Sequence, residues 1–72
     1  MKIKINTIQD VRELANIASK YDLDIMLKTG NYVVNAKSLL GILSLNLTNP
    51  VAVTVNGGDS TQFMKEINKF AV

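Results

Sequence analysis

Neither cysteine nor histidine occurs among the 72 residues of this chain. Without thiols there is no disulfide to staple a small fold, and without thiols or imidazoles there is no Cys/His set to hold a structural metal. Stability must therefore come from packing, in a chain near the size at which one core is only marginally adequate. Charge of one sign is not concentrated either. Lys2, Lys4, Arg12, Lys20, Lys28, Lys37, Lys65 and Lys69 are scattered against six acids, giving a net charge of +2. Tyr21 and Tyr32 lie among these lysines, but no basic stripe or ribonucleoprotein motif accompanies them, so a nucleic-acid partner is not expected. No apolar stretch approaches the roughly 20 residues that span a bilayer, and Met1-Lys2-Ile3-Lys4-Ile5 alternates instead of forming a signal-peptide core. A cytoplasmic protein with no membrane partner is expected. Gly30, Gly57 and Gly58 read as turn glycines, since neither GxxxxGK nor GxGxxG occurs.

What is present is apolar periodicity, at 47% hydrophobic residues, which marks a globular chain and a single domain over residues 1–72. Met1 to Asn6 reads as a strand with Ile3 and Ile5 on one face. Thr7 precedes a helix from about Ile8 to Lys20, with Ile8, Val11, Leu14, Ala15, Ile17 and Ala18 on one side and Asp10 placed for a capping box. Leu23, Ile25 and Leu27 then alternate with polar neighbours, and Thr29-Gly30-Asn31 offers positive-φ residues for a hairpin into Tyr32-Val33-Val34-Asn35. Ser38 to Leu47 carries Leu39, Leu40, Ile42, Leu43, Leu45 and Leu47, too many apolar residues for one face of so short a helix. Asn46 suits a left-handed helix cap, and Asn49-Pro50 ends the helix before Val51, Val53 and Val55 resume strand alternation. After Gly57-Gly58, either Asp59 or Ser60 can cap a last helix that buries Phe63, Ile67 and Phe70 or Ala71. The order is βαββαβα. It predicts an α+β fold in which a four-stranded antiparallel sheet has helices on one face and solvent on the other.

Lys20-Tyr21-Asp22, the turn Asn35-Ala36-Lys37-Ser38, the hydrophobic-hydrophobic-Gly-hydrophobic-hydrophobic-Ser-Leu run from Leu39 to Leu45, and Gly58-Asp59 together resemble the histidine-containing phosphocarrier family, HPr. The resemblance runs from about Ala18 onward and implies an HPr-like open-faced β-sandwich. It also implies partners among the proteins of the sugar phosphotransferase system or transcriptional regulators, with no cofactor and no enzyme activity of its own. Ser38 aligns with the serine that a dedicated kinase phosphorylates in many Gram-positive carriers of the family. Leu39, Leu40 and Leu43, rimmed by Lys37 and Asn46, match the family surface that docks protein partners.

The departure from the family is equally definite. Its carriers place a Gly-hydrophobic-His-Ala-Arg-Pro-Ala loop between the first strand and first helix, where this chain runs Ile5-Asn6-Thr7-Ile8-Gln9-Asp10-Val11. The comparison implies a deleted active loop and a member that carries no phosphohistidine. Asp10 is the remaining carboxylate there. An aspartyl phosphate would need several clustered carboxylates for magnesium, so Asp10 also reads as an ordinary first-turn helix acid. Two non-enzymatic roles remain for the chain: a regulatory or docking module acting through Ser38 and the leucine helix, or a diverged scaffolding module that self-associates. The sequence leaves the oligomeric state open. It also allows the short helix to turn all its leucines inward, and lets Ser38 act as a simple N-cap.

Overall fold

The computed structural model describes residues 1–72 as eight elements: β1 (Lys2–Ile3), α1 (Ile8–Ser19), β2 (Asp24–Thr29), β3 (Tyr32–Asn35), α2 (Leu39–Leu43), β4 (Val51–Asn56), α3 (Thr61–Ile67) and a 3₁₀ turn (Asn68–Phe70). The strands form one antiparallel sheet in the order β1-β4-β2-β3. Period-two alternation puts Ile3, Ile25, Leu27, Val51 and Val53 on the covered face, all of them buried. Lys2, Lys28 and Thr54 fall on the opposite, solvated face. Helical residues Val11, Leu14, Ile42, Phe63 and Ile67 close the core from one side, and no polar side chain is buried.

Each helix has a legible origin. Thr7 Oγ1 accepts from the Asp10 amide at 3.1 Å, while Asp10 Oδ2 accepts from the amides of Asn6 at 3.0 Å and Thr7 at 3.2 Å, completing the anticipated capping box. Exchanging Thr7 for alanine is expected to cost about 1 kcal/mol, readable as a lower urea midpoint with unchanged slope. At α3 the side-chain acceptor comes from Asp59, one residue before the N-cap position: its Oδ1 accepts from the amide of Thr61 at 2.9 Å and its hydroxyl at 2.6 Å. Ser60, the residue next to the helix, makes no side-chain capping bond.

Several sequence-based boundaries shift. Only Lys2 and Ile3 of the expected Met1–Asn6 strand pair with β4, because the chain turns away toward α1, although Ile5 remains buried as its alternation with Ile3 requires. Ile8 does not join the core. It stands at the first position of α1, beyond the reach of the sheet, and is 51% exposed. The long apolar segment after Ser38 is helical for only five residues, and the rest is turn. Asn46 is not a left-handed cap, since no residue other than glycine has positive φ. Its Oδ1 instead accepts from the Thr48 amide at 3.1 Å, an Asx turn. In the β2–β3 hairpin the positive φ is confined to Gly30, at 59°. This is the pattern of a type II′ loop, which needs glycine at its first central position only. Of the two alternatives for the last core residue, Phe70 is buried and Ala71 is not.

The end of the chain lies along β1. Ile3 forms a bridge with Ala71, the Lys4 amide donates to Phe70 O at 2.8 Å, and the Val72 amide donates to Lys2 O at 3.1 Å. That covers one sheet edge and leaves β3 as the open one.

A polar clamp joins α1 to α3. Glu66 accepts from the Tyr21 hydroxyl and the Lys20 ammonium, and the Tyr21 ring meets Phe63 edge-on at 5.7 Å and 72°. The hydrogen bond to Glu66, with lesser contributions from burial and the carboxylate charge, pushes the Tyr21 phenol from 10.0 up to about 12. A raised folded-state value contributes stability that is complete below the unfolded value and is lost above it. Stability should therefore fall between pH 10.0 and about 12, and Tyr21→Phe should flatten that part of an alkaline denaturation profile. Glu66 is held below its usual 4.5, first by Lys20 and then by Tyr21, so its contribution is lost as pH falls below that value.

Candidate functional site

The segment from Asn35 to Leu47 builds a short helix on a rigid turn. Ala36 is fully buried and its amide donates to Ile25 O at 2.9 Å, which ties the turn to the sheet. Asn35 then shapes the entry to the helix: its side-chain oxygen accepts from the Lys37 amide at 2.8 Å and its carbonyl from the Ser38 amide at 3.0 Å. Ser38 has extended backbone and its Oγ accepts from the Gly41 amide at 3.0 Å, so it is the N-cap of α2. The hydroxyl remains on the surface. A Cβ on residue 41 would lie 3.1 Å from Ser38 Oγ and 3.4 Å from Val34 Cβ, so glycine permits α2 to close simultaneously on its cap and on β3.

Packing sorts the leucines. Ile42 points straight into the core and Leu45 turns back into it, both buried. The remaining three cannot do the same, because a helix of five residues has one inward face and Ile42 fills it. Leu40, on the opposite side, is 80% exposed, while Leu39 and Leu43 are partly exposed along the flank nearest α1. The expected surplus of apolar surface is therefore present, and Leu40 is its outermost residue.

Two clefts of about 410 Å³ each flank this helix against α1. One joins Leu39 and Lys37 to Arg12, Asn16 and Ser19. The other joins Leu43 and Leu47 to Ile8 and Val11. Lys37 and Leu39 line the first cleft, Leu43 lines the second, and Ser38 and Leu40 add the exposed outer surface of the same segment, whereas Asn46 lies past the far end of α2 with its side-chain oxygen engaged by Thr48. Sequence reasoning missed Ile8, Arg12 and Leu47 as members of this surface. The available signal was Ile8 itself, an apolar residue directly after an N-cap, where the first turn overhangs the sheet.

The connection from β1 to α1 is only Lys4-Ile5-Asn6-Thr7. Its buried member, Ile5, anchors it, and the Lys4 ammonium donates to Leu47 O at 2.9 Å and Thr48 O at 2.6 Å, locking it against the loop after α2. The Asp10 carboxylate is engaged by the amides of Asn6 and Thr7 and the Asp10 amide by Thr7, and no group of three or more carboxylates gathers around Asp10. The geometry gives Asp10 the role of a cap.

The family profile described as the PTS HPr component phosphorylation site matches residues 10–72. The chain belongs to the HPr family. Among solved structures, HPr-C-His from Thermoanaerobacter tengcongensis is 30% identical, superposes with a TM-score of 0.82, and is matched over 96% of this chain and 83% of its own. Crh, the Bacillus subtilis catabolite repression containing protein, has 21% identity and a TM-score of 0.77 over 97% of this chain and 82% of its own, a likeness of fold. That Crh structure is a swapped, intertwined dimer. The match to the HPr family begins in the first turn of α1, after the short Lys4–Thr7 connection.

Proposed function

We propose that this chain is an HPr-family docking or regulatory module of the sugar phosphotransferase system that acts without carrying phosphohistidine. The observation that supports this most directly is a pairing of loss and retention. The family's transfer chemistry requires an imidazole, and the chain has none. The docking helix, in contrast, keeps its cap and exposes Leu40 at 80%. The short helix leaves that leucine without a core partner, and apolar anchors of this kind dominate the energy of transient interfaces. HPr-family proteins are phosphocarriers and not enzymes; this one would work by occupying partners in the cytoplasm, as one domain of residues 1–72. Those partners would be proteins of the phosphotransferase system or a transcriptional regulator, engaged by Lys37, Leu39, Leu40 and Leu43, with Asn46 outside the contact. No helix is long and apolar enough to cross a membrane.

Ser38 is the regulatory position in this reading. Its hydroxyl is on the surface, where an HPr kinase could reach it, and phosphate there adds nearly two negative charges beside Lys37. Intact-mass analysis after incubation with ATP and cytosolic extract of the source organism should show one phosphate on the wild type and none on Ser38→Ala. An unmodified wild type would reduce Ser38 to a helix cap and leave constitutive docking.

A second reading, self-association as a scaffold, is favoured by the open β3 edge, where Tyr32 and Val33 are 73% and 53% exposed. Light scattering across a concentration series separates the two, because a monomer at every concentration removes the scaffold.

A further inference from the structure

The acids of this chain are unevenly placed. None precedes Asp10, and none occurs between Asp24 and Asp59, so β1, β3, α2, β4 and the loops from β1 to α1 and from β2 through to β4 carry no carboxylate. On the solvated face of the sheet this asymmetry becomes a site. The ladder register places Lys2 opposite Ala52 and Ala52 opposite Lys28, so the two lysines stand in one row on either side of a small residue. With strands about 4.8 Å apart, their Cα atoms are about 10 Å apart, and both four-carbon stems can bring their ammonium groups together above the Ala52 methyl.

A shallow cavity of about 380 Å³ lies there, lined by Lys2, Lys28 and Ala52 together with Thr29, Gly30 and Asn49. Its wall is held from behind: Lys4 binds the carbonyls of Leu47 and Thr48, the residues leading directly into Asn49. Neither rim lysine has an acidic partner. The molecule's ion pairs, Lys20–Glu66 and Lys69–Glu13, are both on the helical side, and the nearest acid on this face, Asp24, is two rows further along β2. Two unpaired ammonium groups stand over this lining without a carboxylate to compete for them. That composition suits a compact dianion.

We propose that the Lys2–Ala52–Lys28 row is a binding site for a phosphate monoester, on the face of the sheet opposite α2 and independent of the docking surface. Titrating inorganic phosphate into isotope-labelled protein at constant ionic strength should produce saturable amide NMR shifts at Gly30, Asn49 and Ala52. Lys2→Met and Lys28→Met alter exposed side chains and should each weaken half-saturation roughly tenfold, the loss expected for one charge-assisted contact. Lys65→Met, on the helical side, should leave it unchanged. Vesicles containing phosphatidic acid test the lipid-borne form of the same group. Recruitment that both rim variants abolish would make a headgroup a source, while phosphate saturation without recruitment assigns the site to soluble esters. Shifts that stay linear in phosphate, or saturation that both rim variants retain, would overturn the proposal.

Discussion

Phe63→Ala should lower the melting temperature by more than 10 °C, at roughly 4–8 °C per kcal/mol for a domain of this size. Phe63 is fully buried on α3 and lies edge-on to Tyr21, so its ring ties the last helix to the end of the first. Truncating a buried phenylalanine costs about 3–5 kcal/mol, and the lost aromatic pair adds about 0.5–1.5 kcal/mol. At roughly 0.05–0.15 kcal/mol per residue, 72 residues offer about 4–11 kcal/mol in total. Without disulfide or metal to compensate, the variant sits near its unfolding midpoint. Circular dichroism melts decide the matter: a shift under about 5 °C would mean that the core closes around the missing ring.

The second large effect concerns binding and leaves stability alone. Leu40→Lys changes a side chain that is 80% exposed, so the fold should stay within about 0.5 kcal/mol of wild type. If Leu40 anchors a partner, however, placing an ammonium in the desolvated centre of that interface should cost at least about 2 kcal/mol, or roughly thirtyfold in affinity. Calorimetric titration against the purified phosphotransferase proteins of the source organism, with paired urea melts, reads both numbers. Ile42→Ala provides the contrast, because the Ile42 side chain is fully buried and its loss should appear in the melts, at about 2–5 kcal/mol. Unchanged affinity in a stable Leu40→Lys would remove Leu40 from the interface.

Local chemistry explains which features could be read from the sequence. The capping box of Thr7 and Asp10, the alternation of Ile25 with Leu27 and the cap at Ser38 each depend on residues close in the chain, and each is present. The excess of leucines on α2 was also legible, since five residues cannot bury so many. What escaped depends on distant contacts. Ile8 fits the apolar side of a helical wheel, but the sheet does not extend beneath the first turn of α1, so Ile8 is left beside Leu43 instead. Asn46 has the intrinsic tendency of a left-handed cap, yet the turn it forms with Thr48, whose carbonyl holds Lys4, proceeds entirely through negative φ. The bridge between Ile3 and Ala71 has no local signal, being set by how α3 returns the chain to β1.

That last pairing has a consequence for how the molecule is made. β1 is flanked by β4 on one side and by residues 70–72 on the other, so both of its neighbours lie far downstream of it in the chain and the second of them is made well after it. At about 5–20 residues per second, the 67 residues from Lys4 to Phe70 take roughly 3–13 s to synthesise. Until Phe70 is made, β1 has at most its β4 neighbour and its other edge stays uncovered. The alternating lysines of Lys2-Ile3-Lys4, which keep a lone apolar strand soluble and discourage premature pairing with other nascent chains, are suited to the delay.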